Sequence, residues 1–118
     1  MALPSRALLV ACLGLLLGGC GGDDSRDVAP ETVVLADYAF HPRDVQASRG
    51  DALTVLNEGG IAHNLTVERG PVQVAGTASF LAGDRERLPI DMPPGRYRIL
   101  CTVPGHERLG MTGTLTVR

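Results

Sequence analysis

Cysteine and histidine are both scarce in this sequence, with three of each in 118 residues, and lysine is absent. Each shortage excludes something. Two of the cysteines, Cys12 and Cys20, lie near the start, so Cys101 stands alone in the body of the chain. No disulfide framework staples the fold. An iron–sulfur cluster, which takes several cysteines, is excluded for the same reason. Every basic residue is arginine, which reads as compositional bias before function. The formal net charge is −2, which argues against nucleic acid, since that calls for a basic patch. No apolar run reaches the roughly 20 residues that cross a bilayer, and no segment repeats.

The longest apolar run, residues 7–17, follows the single charge of Arg6 and ends in Leu17-Gly18-Gly19-Cys20. A basic start, a short apolar stretch and small residues before a cleavage point read as a secretory signal over residues 1–19. The four residues ending at Cys20 resemble the lipobox of bacterial lipoproteins. That resemblance implies that the Cys20 thiol is lipidated and becomes the new N-terminus, leaving the protein extracytoplasmic or periplasmic and lipid-anchored to a bacterial membrane. Two or more acyl chains anchor stably where one does not. From Cys20 onward the chain has ten arginines and thirteen acids, a net charge of −3. Residues 20–31 are polar and rich in Gly and Asp, the composition of a flexible tether. Eleven such residues span about 18 Å r.m.s., which keeps the domain near the membrane.

From residue 32 the pattern becomes β. Residues 32–36 are rich in β-branched types, Tyr38 and Phe40 stand two apart, and residues 45–47 and 52–56 read as strands around a turn at Ser48-Arg49-Gly50-Asp51. Asn57-Glu58-Gly59-Gly60 is turn chemistry. Residues 63–67 alternate, predicting a strand with His63, Leu65 and Val67 on one face and Asn64 and Thr66 on the other. Residues 72–88 carry no clear period and no visible chemistry, and residues 89–92 fit a strand. After the turn at Pro93-Pro94-Gly95, Tyr97, Ile99 and Cys101 share a face; Leu115 and Val117 share one in the last strand. Short strands separated by Gly/Pro/Asn turns, without a convincing long helix, predict an all-β sandwich or small barrel over residues 32–118.

The informative stretch is Cys101-Thr102-Val103-Pro104-Gly105-His106-Glu107-Arg108-Leu109-Gly110-Met111. It places a thiolate, an imidazole and a thioether in one loop. A second imidazole, His63, opens an earlier strand that a sandwich can lay beside the strand leading to Cys101. Taken singly, each residue has a bland reading: a strand-end histidine, a core cysteine, a loop histidine, a core methionine. Jointly, two His and one Cys with a weak axial Met form the set that suits one type 1 (blue) copper. Zinc prefers four good N, S or O ligands, and calcium and magnesium prefer oxygens.

These residues resemble the plastocyanin/azurin family of cupredoxins. The likeness runs over nearly the whole domain through Tyr38-Ala39-Phe40-His41-Pro42, Gly50-Asp51, Asn57, His63-Asn64, Pro94-Gly95-Arg96-Tyr97, the Cys101–His106 loop and Gly110-Met111. The resemblance implies a small Greek-key β-sandwich with His63, Cys101 and His106 as equatorial copper ligands and Met111 as the axial one. It gives Asn64 a supporting place, tying the two ligand-bearing loops together near the Cys101 sulfur. It implies a monomeric electron carrier that meets a redox partner protein transiently at the His106 edge, within an apolar rim of Pro104, Gly105 and Leu109, with Glu107 and Arg108 steering. The loop is longer between Cys and His than in plastocyanins, and longer between His and Met than in azurins. Ala62 stands where azurins have a glycine, and His41 lies outside the motif as a surface residue. A closed four-ligand site suits electron transfer; a catalytic metal site keeps a position open. Copper storage, delivery or sensing would use the same ligands. A multicopper enzyme needs more histidines than three, and a copper-free binding module would lack a ligand.

Overall fold

The computed structural model describes residues 31–118. The expected signal segment, Cys20 and nearly all of the tether therefore lie outside the described residues. Among the described residues, nine strands form two sheets. One sheet contains β1 (Thr32–Ala36), β2 (Ala39–His41), β4 (Ala52–Asn57) and β7 (Arg85–Pro89), in the order β2-β1-β4-β7. The other contains β3 (Asp44–Ala47), β5 (Thr66–Arg69), β6 (Val72–Gly76), β8 (Gly95–Leu100) and β9 (Thr112–Val117), in the order β3-β9-β8-β5-β6. β1 runs parallel to β4 and β3 parallel to β9; the other neighbours are antiparallel. No helix occurs among the described residues. The all-β sandwich expected from the sequence is present.

Period-2 patterning places the core between the sheets. β1 buries Val33 and Leu35, β4 buries Leu53 and Val55, β8 buries Tyr97 and Ile99, and β9 buries Leu115 and Val117. Each of these aliphatic side chains contributes about 1.5–3 kcal/mol of burial, which offsets the missing disulfides. Tyr97 buries its ring and donates its hydroxyl to the Pro93 carbonyl at 2.5 Å, so its polar end is satisfied.

Three local expectations shift. Tyr38 and Phe40, two apart, do not share an element: Asp37 and Tyr38 form the turn between β1 and β2, and only Phe40 enters the core fully. β5 starts at Thr66, because the backbone of residues 63–65 bonds elsewhere. His63 N donates to the Phe80 carbonyl, Phe80 N to the His63 carbonyl, Leu65 N to Thr77 Oγ1 and Thr77 N to the Leu65 carbonyl. Both faces of residues 63–67 are buried, so the alternation does not divide core from solvent. The strand expected at residues 89–92 instead covers Arg85–Pro89. It is a sheet edge that exposes Arg85, Glu86 and Arg87 and buries only Leu88, so it carries no apolar period. The segment that showed no visible chemistry thus supplies two strands and the strap that fastens His63.

Candidate metal centre

β8 and β9 pair antiparallel up to Leu100↔Thr112, and residues 101–111 bridge their ends. The loop is wound on its own backbone. His106 N donates to the Val103 carbonyl, Leu109 N to the Gly105 and His106 carbonyls, and Met111 N to the His106 carbonyl. Cys101 N then donates to the Met111 carbonyl at 3.1 Å, closing the loop. Gly110 takes φ +104°, a turn that a side chain would resist, and so returns the chain toward Cys101. β5 lies beside β8, as a sandwich allows, and brings His63 to the same end.

The side chains converge. His63 Nδ1 lies 3.0 Å from His106 Nδ1 and 4.0 Å from Cys101 Sγ, and His106 Nδ1 lies 3.4 Å from the same sulfur. His63, Cys101 and Met111 are 0% exposed and His106 is 6% exposed, so of the two imidazoles only His106 reaches the surface. Met111 joins the group through its backbone bonds to His106 and Cys101. Burial holds His106 below the usual histidine value of 6.5, and the neighbouring His63 pushes the same way. A neutral imidazole is the form that a metal needs.

Asn64 makes two bonds across the loops: Nδ2 donates to Thr102 Oγ1 at 2.7 Å, and Thr102 N donates to Oδ1 at 2.8 Å. These bonds tie the segment that begins at His63 to the loop of residues 101–111, one residue along from each candidate donor. His41 is exposed and away from the cluster. Leu109 is 61% exposed, and Pro104 and Gly105 are exposed beside His106. Glu107 is balanced by Arg98, whose Nη2 lies 2.5 Å from Oε1. An exposed pair of this kind contributes about 0–1 kcal/mol, so it dresses the loop more than it holds it.

Three residues at the site carry roles that the sequence did not reveal. Asp37 Oδ1 lies 2.5 Å from His63 Nε2, and Gly60 N donates to Oδ2 at 2.8 Å. The Gly60 bond first, and then the His63 bond, hold the Asp37 carboxyl below its usual 3.8. Tyr38 packs its ring edge-on against His106, with centroids 4.9 Å apart at 71°, and stands 6.1 Å from His63 at 84°. Asn57, fully buried, donates to the Ile61 and Phe80 carbonyls and accepts from Gly59 N, so it fixes the loop that carries Gly59 and Gly60. Asn57 was marked by turn chemistry and by its place in the family resemblance, neither of which showed these bonds, and Asp37 only by its place ahead of two aromatics.

Two imidazole nitrogens and a thiol sulfur facing one another in a buried, narrow space, with a buried thioether on the same loop, define a soft-metal site on a β-sandwich. The set fits copper. Comparison with known proteins agrees: residues 31–118 match the family model described as copper binding proteins, plastocyanin/azurin family. The chain belongs to that family, and its cofactor is one type 1 copper. It is 29% identical to a chloroplastic plastocyanin of Physcomitrium patens over 125 residues, covering 99% of this chain and 66% of that one. It is 46% identical to auracyanin-B of Chloroflexus aurantiacus over 48 residues, covering 40% and 20%. The chain thus spans less than two thirds of the length of these two relatives. Among solved structures, auracyanin B superposes with a TM-score of 0.63 at 25% identity, covering 74% of this chain and 86% of that one. A copper-containing nitrite reductase from Thermus scotoductus shares the fold, with a TM-score of 0.60 at 23% identity, covering 75% of this chain and 22% of that one.

Proposed function

We propose that the protein is a membrane-tethered electron carrier whose copper is held by His63, Cys101 and His106 in the equatorial plane and by Met111 axially. The observation that carries this reading is the convergence of the His63, Cys101 and His106 donor atoms within 4.8 Å of one another in a buried site. Bound copper supplies a one-electron couple between Cu(II) and Cu(I). The chain supplies the rest. The Asn64–Thr102 bonds and the wound loop hold the donors in place, so little needs to rearrange between oxidation states. Burial keeps water and substrate off the metal, which suits a carrier and disfavours an enzyme. His106, the one of the two clustered imidazoles that reaches the surface, is the route for the electron. Leu109, Pro104 and Gly105 surround it with a small apolar face suited to a transient redox partner, which the protein meets as a monomer.

The decisive experiment is to load the purified protein with Cu(II), record its visible spectrum and cycle it by voltammetry. An intense blue copper–thiolate band and a reversible one-electron wave are expected. A colourless complex would remove the ligand assignment. A blue protein whose copper exchanges readily and cycles irreversibly would replace electron transfer with copper storage, delivery or sensing.

The tether is the second part of the proposal. Residues 1–19 act as a lipoprotein signal, residues 20–31 as a lipidated N-terminus and tether, and residues 32–118 as the cupredoxin domain, held outside the cytoplasm. The support is the Leu17-Gly18-Gly19-Cys20 motif and the polar run behind it. Replacing Cys20 by Ala removes the acylated thiol, so the variant should move from the membrane pellet to the soluble fraction in cell fractionation. Equal membrane partitioning of variant and wild type would sink the anchor.

A further inference from the structure

The Asp37 carboxylate does more than sit near the site. It lies in the β1–β2 turn, 26 residues before His63, and receives two donors at once. An ionised carboxylate has no hydrogen to give, so the contact at 2.5 Å is a bond from His63 Nε2–H to Oδ1. That fixes the tautomer: the proton sits on Nε2, and Nδ1 keeps its lone pair facing Cys101 and His106. The second oxygen is occupied by Gly60 N–H at 2.8 Å, which aims the carboxylate at the ring.

Gly59 shows that the approach is built in. A Cβ at that position would collide with Asp37 Oδ1 and come within 2.7 Å of His63 Nε2. Real side chains do not approach so closely, so any residue but glycine forces the carboxylate and the imidazole out of this arrangement. Asn57 then pins this glycine, since Gly59 N donates to its Oδ1 at 2.9 Å. Two turns from different strands thus close on one imidazole.

We propose that Asp37 is a positioning residue for the metal centre: it sets the His63 tautomer and, through its negative charge on the far side of the ring, makes His63 a stronger donor that favours Cu(II) over Cu(I). This inference rests on His63 being a copper ligand. A carboxylate behind a metal-bound histidine orients the ring and raises its basicity, and losing such a partner typically costs about 10–100-fold in metal affinity. The more charged ion gains more from a more basic ligand, so the loss falls mainly on Cu(II) and the reduction potential rises.

The pocket also predicts which substitution fails. Asp37→Asn has nearly the same shape but only one acceptor for two donors. Either Gly60 N–H or His63 Nε2 then faces an NH2 group, and the second case favours the tautomer with the proton on Nδ1. Gly59→Ala is complementary, because it leaves the carboxylate in the chain and pushes it off the imidazole.

The test uses the full chain and three variants, Asp37→Asn, Asp37→Ala and Gly59→Ala, each checked for β structure by far-UV circular dichroism. In the metal-free protein, nitrogen NMR should find wild-type His63 protonated at Nε2, and Asp37→Ala and Gly59→Ala should lose that preference. In the copper-loaded protein, the ratio of Cu(II) to Cu(I) affinity should fall about tenfold in Asp37→Asn and in Gly59→Ala, a rise of about 59 mV for one electron, with the blue band retained. A potential in both variants matching the wild type overturns the electronic role. An unchanged tautomer in Asp37→Ala and Gly59→Ala overturns the positioning role. If the wild type gives no blue complex, the ligand reading itself has failed, and the tautomer measurement still decides whether Asp37 sets His63.

Discussion

Replacing Cys101 by Ser should abolish the blue band outright while leaving the sandwich folded. The colour depends on a thiolate, and an alcohol does not ionise at neutral pH to replace it. Sulfur and oxygen differ little in size, and the site has room for the change. Cys101 Sγ already lies 3.4 Å from His106 Nδ1, so a serine hydroxyl has a partner in reach. A buried hydroxyl without one would cost about 1–3 kcal/mol, and with one it costs less. The expected outcome is a colourless copper complex, an unchanged far-UV spectrum, and a denaturation midpoint near that of metal-free wild type. A variant that keeps the intense band would show that the colour comes from elsewhere. A variant that unfolds would show that Cys101 is mainly a core residue.

The second large effect is expected at Asn57, which is far less conspicuous. Its side chain joins three backbone groups: the Ile61 carbonyl at 2.9 Å, the Phe80 carbonyl at 3.0 Å and Gly59 N at 2.9 Å. Asn57→Ala leaves the Ile61 carbonyl and Gly59 N unpaired, and the Phe80 carbonyl with only its bond from His63 N, in a place where Asn57 itself is 0% exposed. Each orphaned buried group costs about 1–3 kcal/mol, and water recovers part at the Ile61 side, so a loss of about 2–4 kcal/mol is expected in denaturant titration of the metal-free protein. Copper binding should weaken as well, because the same three bonds hold the strap at Phe80 and the turn at Gly59 that support His63. An ordinary surface substitution changes stability by less than about 0.5 kcal/mol. A change that small would mean that the loop holds itself without Asn57.

What could be read from the sequence was whatever is local. Cys101, His106 and Met111 fall within one loop, so their spacing alone made a chemical statement, and the turn residues around them fixed where the loop begins and ends. His63 needed one further step, the adjacency of β5 and β8, which strand patterning allowed and the structure supplies. The Asp37–His63 bond had no such signature. It arises where two turns from different strands meet, and nothing in a carboxylate 26 positions away announces that approach. β7 was misplaced for a different reason. Its partner strand β4 supplies the apolar residues, while Arg85, Glu86 and Arg87 face solvent at a sheet edge. The start of β5 shifted because the Asn64 and Thr77 side chains accept from Thr102 N and Leu65 N, groups that a regular ladder would have used.

The loop between β8 and β9 begins and ends on a matched pair, Leu100 and Thr112. Its ends are therefore set by the sheet and not by its length. Lengthening a closed loop costs only about 0.6 kcal/mol per doubling, so residues 101–111 amount to a cassette. It holds the thiol, the thioether and the imidazole that reaches the surface, and it can be exchanged without moving a strand. The other half of the centre, His63 with Asp37 and the Asn57 pin, is woven through three segments, at Asp37, from Asn57 to His63 and at Phe80, and has no such freedom. Variation in the redox character of this centre should therefore be sought by replacing one hairpin loop, with the half of the site built on His63 serving as the constant frame.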